Sequence, residues 1–107
     1  MNQQLVPKIA VIIATYKREE SLIKVLHALR IQTRRPDIVV IADASEESTL
    51  EKVIHTVSMN IRLLRSQTPS LTVQKNLALQ YLEDNWDGDF VQVLDDDTFP
   101  EENYLEI

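Results

Sequence analysis

The sequence holds no cysteine and a single glycine. The first absence removes disulfide staples, thiolate metal sites, Cys-x-x-Cys redox chemistry and a cysteine nucleophile together, and it fits a reducing compartment. The second removes both glycine-rich phosphate loops. With Gly88 alone, neither G-x-G-x-x-G nor a Walker loop can be written, so a phosphate ligand needs its charge neutralised in another way. No apolar run approaches the roughly 20 residues that cross a bilayer; the longest, Ile9 to Ala14, is of strand length. The start, MNQQLVPK, lacks the basic and apolar regions of a secretory signal. A cytoplasmic location is therefore expected, at most peripheral at the inner face of a membrane in a full-length protein. Basic residues are also missing from one end. All eleven Lys and Arg lie between Lys8 and Lys75 with seven of the seventeen acids, while Glu83 to Ile107 holds the other ten acids and no base. That one-sided field, within a net charge of -6, points to a cation or a cationic partner at the C-terminal end. It speaks against nucleic acid, whose phosphates need clustered Lys and Arg.

What is present is one small globular domain spanning residues 1–107: the apolar fraction is 44% and no linker, repeat or low-complexity segment interrupts it. IAVIIA (Ile9 to Ala14) and IVVIA (Ile38 to Ala42) are continuous β-branched runs, the pattern of strands buried on both faces. Leu22, Val25, Leu26 and Leu29 repeat at helical spacing, in a helix that should stop before Pro36. Leu50, Val53, Ile54 and Val57 predict a second helix, with Ser45 as its N-cap and Glu46 and Glu47 in the first turn. Ile61 to Leu64 reads as a short third strand, and Val73, Leu77, Ala78 and Tyr81 as the apolar face of a third helix. Asp87-Gly88 reads as a turn, Phe90 to Leu94 as the fourth strand, and Pro100 as the start of a last helix that is cut within two turns. This βαβ series predicts an α/β fold: a Rossmann-like parallel sheet with helices on both faces. The abrupt ending suggests a piece of something longer.

In open parallel sheets, ligands bind beyond the carboxyl ends of the strands. Those ends carry Thr15, Tyr16, Lys17 and Arg18 after the first strand, Asp43, Ala44 and Ser45 after the second, and Asp95, Asp96, Asp97 and Thr98 after the fourth. With strand order 3-2-1-4 the first and fourth loops share one crevice. Three adjacent carboxylates do not all stay ionised cheaply without a cation. Their oxygens suit Mg²⁺ or Mn²⁺, which one or two carboxylates plus substrate phosphates typically hold. Strand alternation puts Asp95 and Asp97 on one side and turns Asp96 away.

Taken together, IAVIIATYKREESL, IVVIADAS, Lys75-Asn76 on a helix and FVQVLDDDTFP resemble the nucleotide-sugar-binding half of the family 2 glycosyltransferases, from about Lys8 onward. Ala14-Thr15-Tyr16-Lys17 stands where that family has Pro-Thr-Tyr-Asn. Ala42-Asp43-Ala44-Ser45 stands for Asp-Asp-Gly-Ser, Lys75-Asn76 for Arg-Asn, and Asp95-Asp96-Asp97 for Asp-x-Asp. The resemblance implies a partial GT-A domain, ending after the Asp-x-Asp motif, that binds a UDP-, GDP- or dTDP-linked sugar and serves a metal-dependent, inverting transfer to an unidentified acceptor. It implies that Thr15 and Tyr16 border the base and that Asp43 accepts a hydrogen bond from it. Asp95 would approach the ribose and share in metal binding, Asp97 would hold Mg²⁺ or Mn²⁺ at the diphosphate, and Asp96 completes the motif on the substrate side. Lys75 and Arg18 become nucleotide and diphosphate contacts, Lys75 being equally readable as a surface charge. Ala42 and Ala44 depart from the family pattern, as do Ser70 and Leu71, where glycine is frequent.

No residue offers itself as catalytic base: His27 and His55 fall within helical segments, and Glu101 and Glu102 look like first-turn helix acids. The 107 residues alone are therefore expected to transfer nothing. Two other phosphoryl-handling readings fail on order. Haloacid dehalogenase-like phosphatases carry Asp-x-Asp after the first strand, and response-regulator receivers need an acidic pair there, where this chain has Thr15, Tyr16 and Lys17. A third reading stays open, a non-catalytic module that binds nucleotide or pairs with a second copy through an apolar face left bare by a missing half.

Overall fold

The computed structural model describes residues 7–45, 50–101 and 104–105. Seven elements follow in order: β1 (Ile9–Thr15), α1 (Glu19–Arg30), β2 (Ile38–Asp43), α2 (Leu50–Ile54), β3 (Ile61–Arg65), α3 (Leu71–Asn85) and β4 (Phe90–Asp95). All four strands are parallel and the sheet order is β3-β2-β1-β4. Both central strands are buried along their whole length, as their unbroken apolar runs require once helices cover both faces. On one face Ile9, Val11, Ile13, Val39 and Ile41 pack with Leu22, Val25, Leu26 and Leu29 of α1 and with Leu50 and Ile54 of α2. On the other, Ala10, Ile12, Ile38 and Val40 meet Ala78 and Leu82 of α3.

Each helix end has a local cause. Glu19 and Glu20 lie at the N-terminus of α1 and His27 and Arg30 at its end, so the charges complement the helix dipole. The Ser70 hydroxyl accepts the Val73 N–H and caps α3. The Ser45 hydroxyl accepts the Lys17 N–H at 2.7 Å, and the residues between Ser45 and the described start of α2 at Leu50 lie outside the described ones, as does the expected cap. Glu46 and Glu47 lie outside the described residues.

Two expectations are corrected. The buried stripe of α3 is Gln74, Ala78 and Leu82, whereas Val73 and Leu77 are exposed. The helix is turned so that a glutamine reaches the strand ends. Asp87-Gly88 forms no turn: the link to β4 runs along the start of β1, with the Asp89 and Phe90 N–H groups donating to the Lys8 carbonyl and Lys8 N–H to the Asp89 carboxylate. Gly88 is needed for close approach, because a Cβ there would stand 1.9 Å from the Trp86 ring. The helix expected from Pro100 falls mostly on residues 102–103 and 106–107, which lie outside the described ones; Tyr104 N–H donates to the Glu101 carbonyl. Leu105 is buried in the α1 face of the core. Among the described residues no helix is long and apolar enough to cross a membrane.

Candidate functional site

The carboxyl rim of the sheet presents its strand ends in spatial order: Arg65 on β3, Asp43 on β2, Thr15 on β1 and Asp95 on β4. Register pairs Thr15 with Asp43 and Asp43 with Arg65, so these three side chains leave the same face of the sheet. Asp95 pairs with Ala14, on the opposite face. Asp96 turns toward α1, opposite to Asp95: one of its carboxylate oxygens accepts the Thr15 hydroxyl at 2.9 Å and its carbonyl accepts the Ser21 hydroxyl at 2.8 Å. Thr98 N–H donates to the Asp95 carbonyl and closes the turn. Thr15 is buried, with its hydroxyl given to Asp96, so what it brings to the rim is a clasp between β1 and the acidic loop.

Beside that clasp lies an open cleft of about 360 Å³ lined by Ala14, Tyr16, Arg18, Leu71 and the three aspartates. Arg18 approaches Asp97 at 3.7 Å, both side chains more than half exposed, a pairing too solvated to hold either group firmly. The Lys17 ammonium lies 5.1 Å from the Tyr16 ring centroid. Lys17 itself has a φ of 54°, the left-handed region that non-glycine residues seldom enter. Its N–H to the Ser45 hydroxyl joins the β1–α1 turn to the loop after β2, across the crevice. Lys75 is half-buried in the second turn of α3, and helical spacing sets it on the flank away from Tyr81.

Asp43 ends β2, as its place in the sequence predicts. Its side chain has no exposure at all. One carboxylate oxygen accepts the Ser45 N–H at 2.9 Å and the other accepts Arg65 Nη1 at 2.9 Å. Gln74, also buried, donates both Nε2 hydrogens at 2.8 Å, to the carbonyls of Thr15 and Ala42. Gln32 is a second buried glutamine. It donates to the Glu101 carbonyl and accepts the Leu105 N–H, pinning the chain beyond the acidic turn. None of Arg65, Gln74 and Gln32 was read from the sequence. Arg65 follows a strand as Asp43 and Asp95 do, and that position was its signal.

Among the described residues no three His, Cys, Asp or Glu side chains gather around a common point. The donor set Asp95 and Asp97 nonetheless fits a hard divalent cation that takes its remaining ligands from phosphate and water, once Arg18 has released Asp97.

A parallel sheet covered on both faces, with polar groups at its carboxyl edge, is the open, Rossmann-like α/β arrangement, in which ligands bind beyond the carboxyl ends of the strands. The glycosyl transferase family 2 model matches residues 10–107, and the chain belongs to that family. Among solved structures it is similar to S. aureus TarS, at 27% identity and a TM-score of 0.73, over 92% of this chain and 18% of that one. The 1–349 portion of TarS in complex with UDP matches at a TM-score of 0.73 over 92% of this chain and 30% of that one. The complex with UDP-GlcNAc matches at 0.70 over 89% and 28%. Both are also 27% identical. The shared part is the Rossmann-like GT-A sheet, and this chain spans less than a third of the length of the structures it matches. No curated protein sequence matches it significantly.

Proposed function

We propose that this chain is the donor-binding part of a cytoplasmic, metal-dependent, inverting glycosyltransferase that uses a nucleoside-diphosphate sugar. The observation that carries the reading is the Asp95-Asp96-Asp97 turn opening on the cleft with Tyr16 and Arg18, in a chain of this family similar to proteins solved with UDP and UDP-GlcNAc. The base lies toward β2 and β3, the ribose near Asp95, and the diphosphate between Arg18, Lys75 and Asp97. Asp97 and Asp95 hold Mg²⁺ or Mn²⁺, which supplies positive charge for the nucleoside diphosphate as it departs. With a cation held by Asp97, the Arg18 guanidinium, now 3.7 Å from that carboxylate, would be free to donate to the diphosphate. The Thr15–Asp96 clasp keeps the acidic turn in register with β1. The base that deprotonates the acceptor belongs to a part of the enzyme beyond these residues, so the chain alone binds donor and transfers nothing.

Calorimetric titration of UDP with and without Mn²⁺, repeated on Asp97→Asn, tests this. Expected is binding that needs the metal and weakens at least about tenfold in the variant, the order of one charge-assisted contact. Absence of binding to UDP, GDP and dTDP with metal present would refute it. A second reading, self-assembly, draws on one observation: β4 is an edge strand whose Phe90, Val91 and Val93 are 39–48% exposed with no charge before Asp95 to protect the edge. A concentration-independent monomer in sedimentation would exclude it.

A further inference from the structure

Resting on the donor-site reading above, we infer that Ser45 is a positioning residue of the cleft: its hydroxyl holds Lys17 in a left-handed turn, and that turn presents Tyr16 and Arg18 to the ligand. Among the described residues Lys17 alone has a positive φ, 54°, a region in which the Cβ of an ordinary residue crowds the following carbonyl. One tertiary bond holds it there. Lys17 N–H donates to the Ser45 hydroxyl at 2.7 Å, across 28 residues of sequence.

Ser45 can hold the turn because it is itself fastened to the sheet. Its N–H donates to the buried Asp43 carboxylate at 2.9 Å, and the Ala44 N–H beside it donates to the Thr15 carbonyl at 3.1 Å. The turn is tied at its own two ends as well. Thr15 is buried and clasped to Asp96, and the Arg18 carbonyl accepts the Leu22 N–H at 2.9 Å at the entry to α1. Between those ends Tyr16 and Arg18 line the cleft with the three aspartates, whereas Lys17 and Ser45 do not. With both ends tied, a φ of ordinary sign at Lys17 would rotate the chain between Tyr16 and Arg18, and the two could not both keep their places. Ser45 therefore acts through the Lys17 backbone and not by touching the ligand.

The test measures UDP affinity with Mn²⁺ on wild type, Ser45→Ala, Ser45→Thr, Lys17→Asn and Lys17→Val, and the backbone NMR shifts of Lys17 in the two Ser45 variants. Expected in Ser45→Ala is a loss of about tenfold, the scale on which a residue with a Cβ disfavours the left-handed region. Ser45→Thr keeps the hydroxyl and should recover most of it. The Lys17 shifts should leave their left-handed values in Ser45→Ala and keep them in Ser45→Thr. Both Lys17 variants remove the ammonium, but asparagine enters the left-handed region readily and β-branched valine resists it. Lys17→Val should therefore weaken UDP several-fold more than Lys17→Asn, and this pair gives the reading if Ser45→Ala does not fold. Equal affinities in the two Lys17 variants, or unmoved Lys17 shifts in folded Ser45→Ala, overturn the inference while leaving the donor site standing. Wild-type protein that binds no UDP overturns both.

Discussion

Replacing Gln74 with leucine keeps the volume of the side chain and removes its two donors, so it isolates what those hydrogen bonds contribute. Gln74 opens the buried stripe of α3, at its N-terminal end, and is 1% exposed. Each of its bonds, at 2.8 Å, ends on a backbone carbonyl at the end of a central strand. The Thr15 carbonyl keeps the Ala44 N–H at 3.1 Å and the Ala42 carbonyl keeps its place in the parallel β1–β2 ladder, so neither acceptor is orphaned and the loss is that of two net hydrogen bonds, about 1–3 kcal/mol. A domain of this size has roughly 5–15 kcal/mol in total, and in that range each kcal/mol moves the midpoint by about 4–8 °C. Thermal and urea unfolding of Gln74→Leu should therefore show a midpoint lower by about 5–20 °C with the urea slope preserved. The exposed Gln80→Ala serves as a control and should stay within about 0.5 kcal/mol. A Gln74→Leu variant as stable as that control would mean that the strand-end carbonyls are solvated and that α3 is not tied to the rim through this residue.

Three shorter predictions follow from other contacts. Burial alone would raise the Asp37 carboxyl, but the Ile9 N–H and the Arg34 guanidinium outweigh it and hold it below its ordinary 3.8. The stability it contributes is thus present above about pH 4 and is lost as pH falls through the lower folded value. Unfolding measured from pH 5 down to 2 should fall more steeply in wild type than in Asp37→Asn, and equal slopes would contradict the assignment. Gly88→Ala drives a methyl into the Trp86 ring and should cost about 1–3 kcal/mol, with a shift in tryptophan fluorescence; an unshifted spectrum at wild-type stability would contradict it. Thr15→Val leaves the Asp96 carboxylate without its donor and should lower stability by about 1–2 kcal/mol. It should also weaken Mn²⁺-dependent UDP binding, and unchanged affinity would show that the acidic turn holds its place without the clasp.

Much of the fold was legible because a parallel sheet covered on both faces imposes a strong pattern. Ile9 to Ala14 and Ile38 to Ala42 could hardly be read as anything but buried strands, and the α1 stripe of Leu22, Val25, Leu26 and Leu29 is the one the structure buries. The errors came where burial and hydrophobicity part company. In α3 the apolar residues run around most of the helix, so periodicity had no single face to choose, and the buried polar Gln74 misled in the same way. At the rim, the positions after β1, β2 and β4 were read one by one, but partners were not, because Arg65 and Asp43 are 22 residues apart in sequence. Asp43 could be placed at a strand end from sequence; that its carboxylate would be enclosed by Ser45 and Arg65 could not. Ser45 is a like case, since its hydroxyl takes the Lys17 N–H, a tertiary partner no local pattern announces.

The charge asymmetry along the sequence acquires its meaning from the strand order. In β3-β2-β1-β4 the last strand lies at one edge of the sheet and the third at the other. The acids that follow β4 therefore collect at one end of the carboxyl rim, and the last arginine before α3 stands at the opposite end. Three inter-strand spacings separate them, about 14 Å, with the buried Asp43 and Thr15 between. A ligand laid along this rim meets an exposed guanidinium at one end and two exposed carboxylates at the other. Bare phosphates would be repelled by those carboxylates, so in the proposed donor site a diphosphate settles at the acidic end with Arg18 and a divalent cation between. Asp97→Asn should then change the metal requirement, read as the ratio of UDP affinities with and without Mn²⁺; an unchanged ratio would contradict this placement.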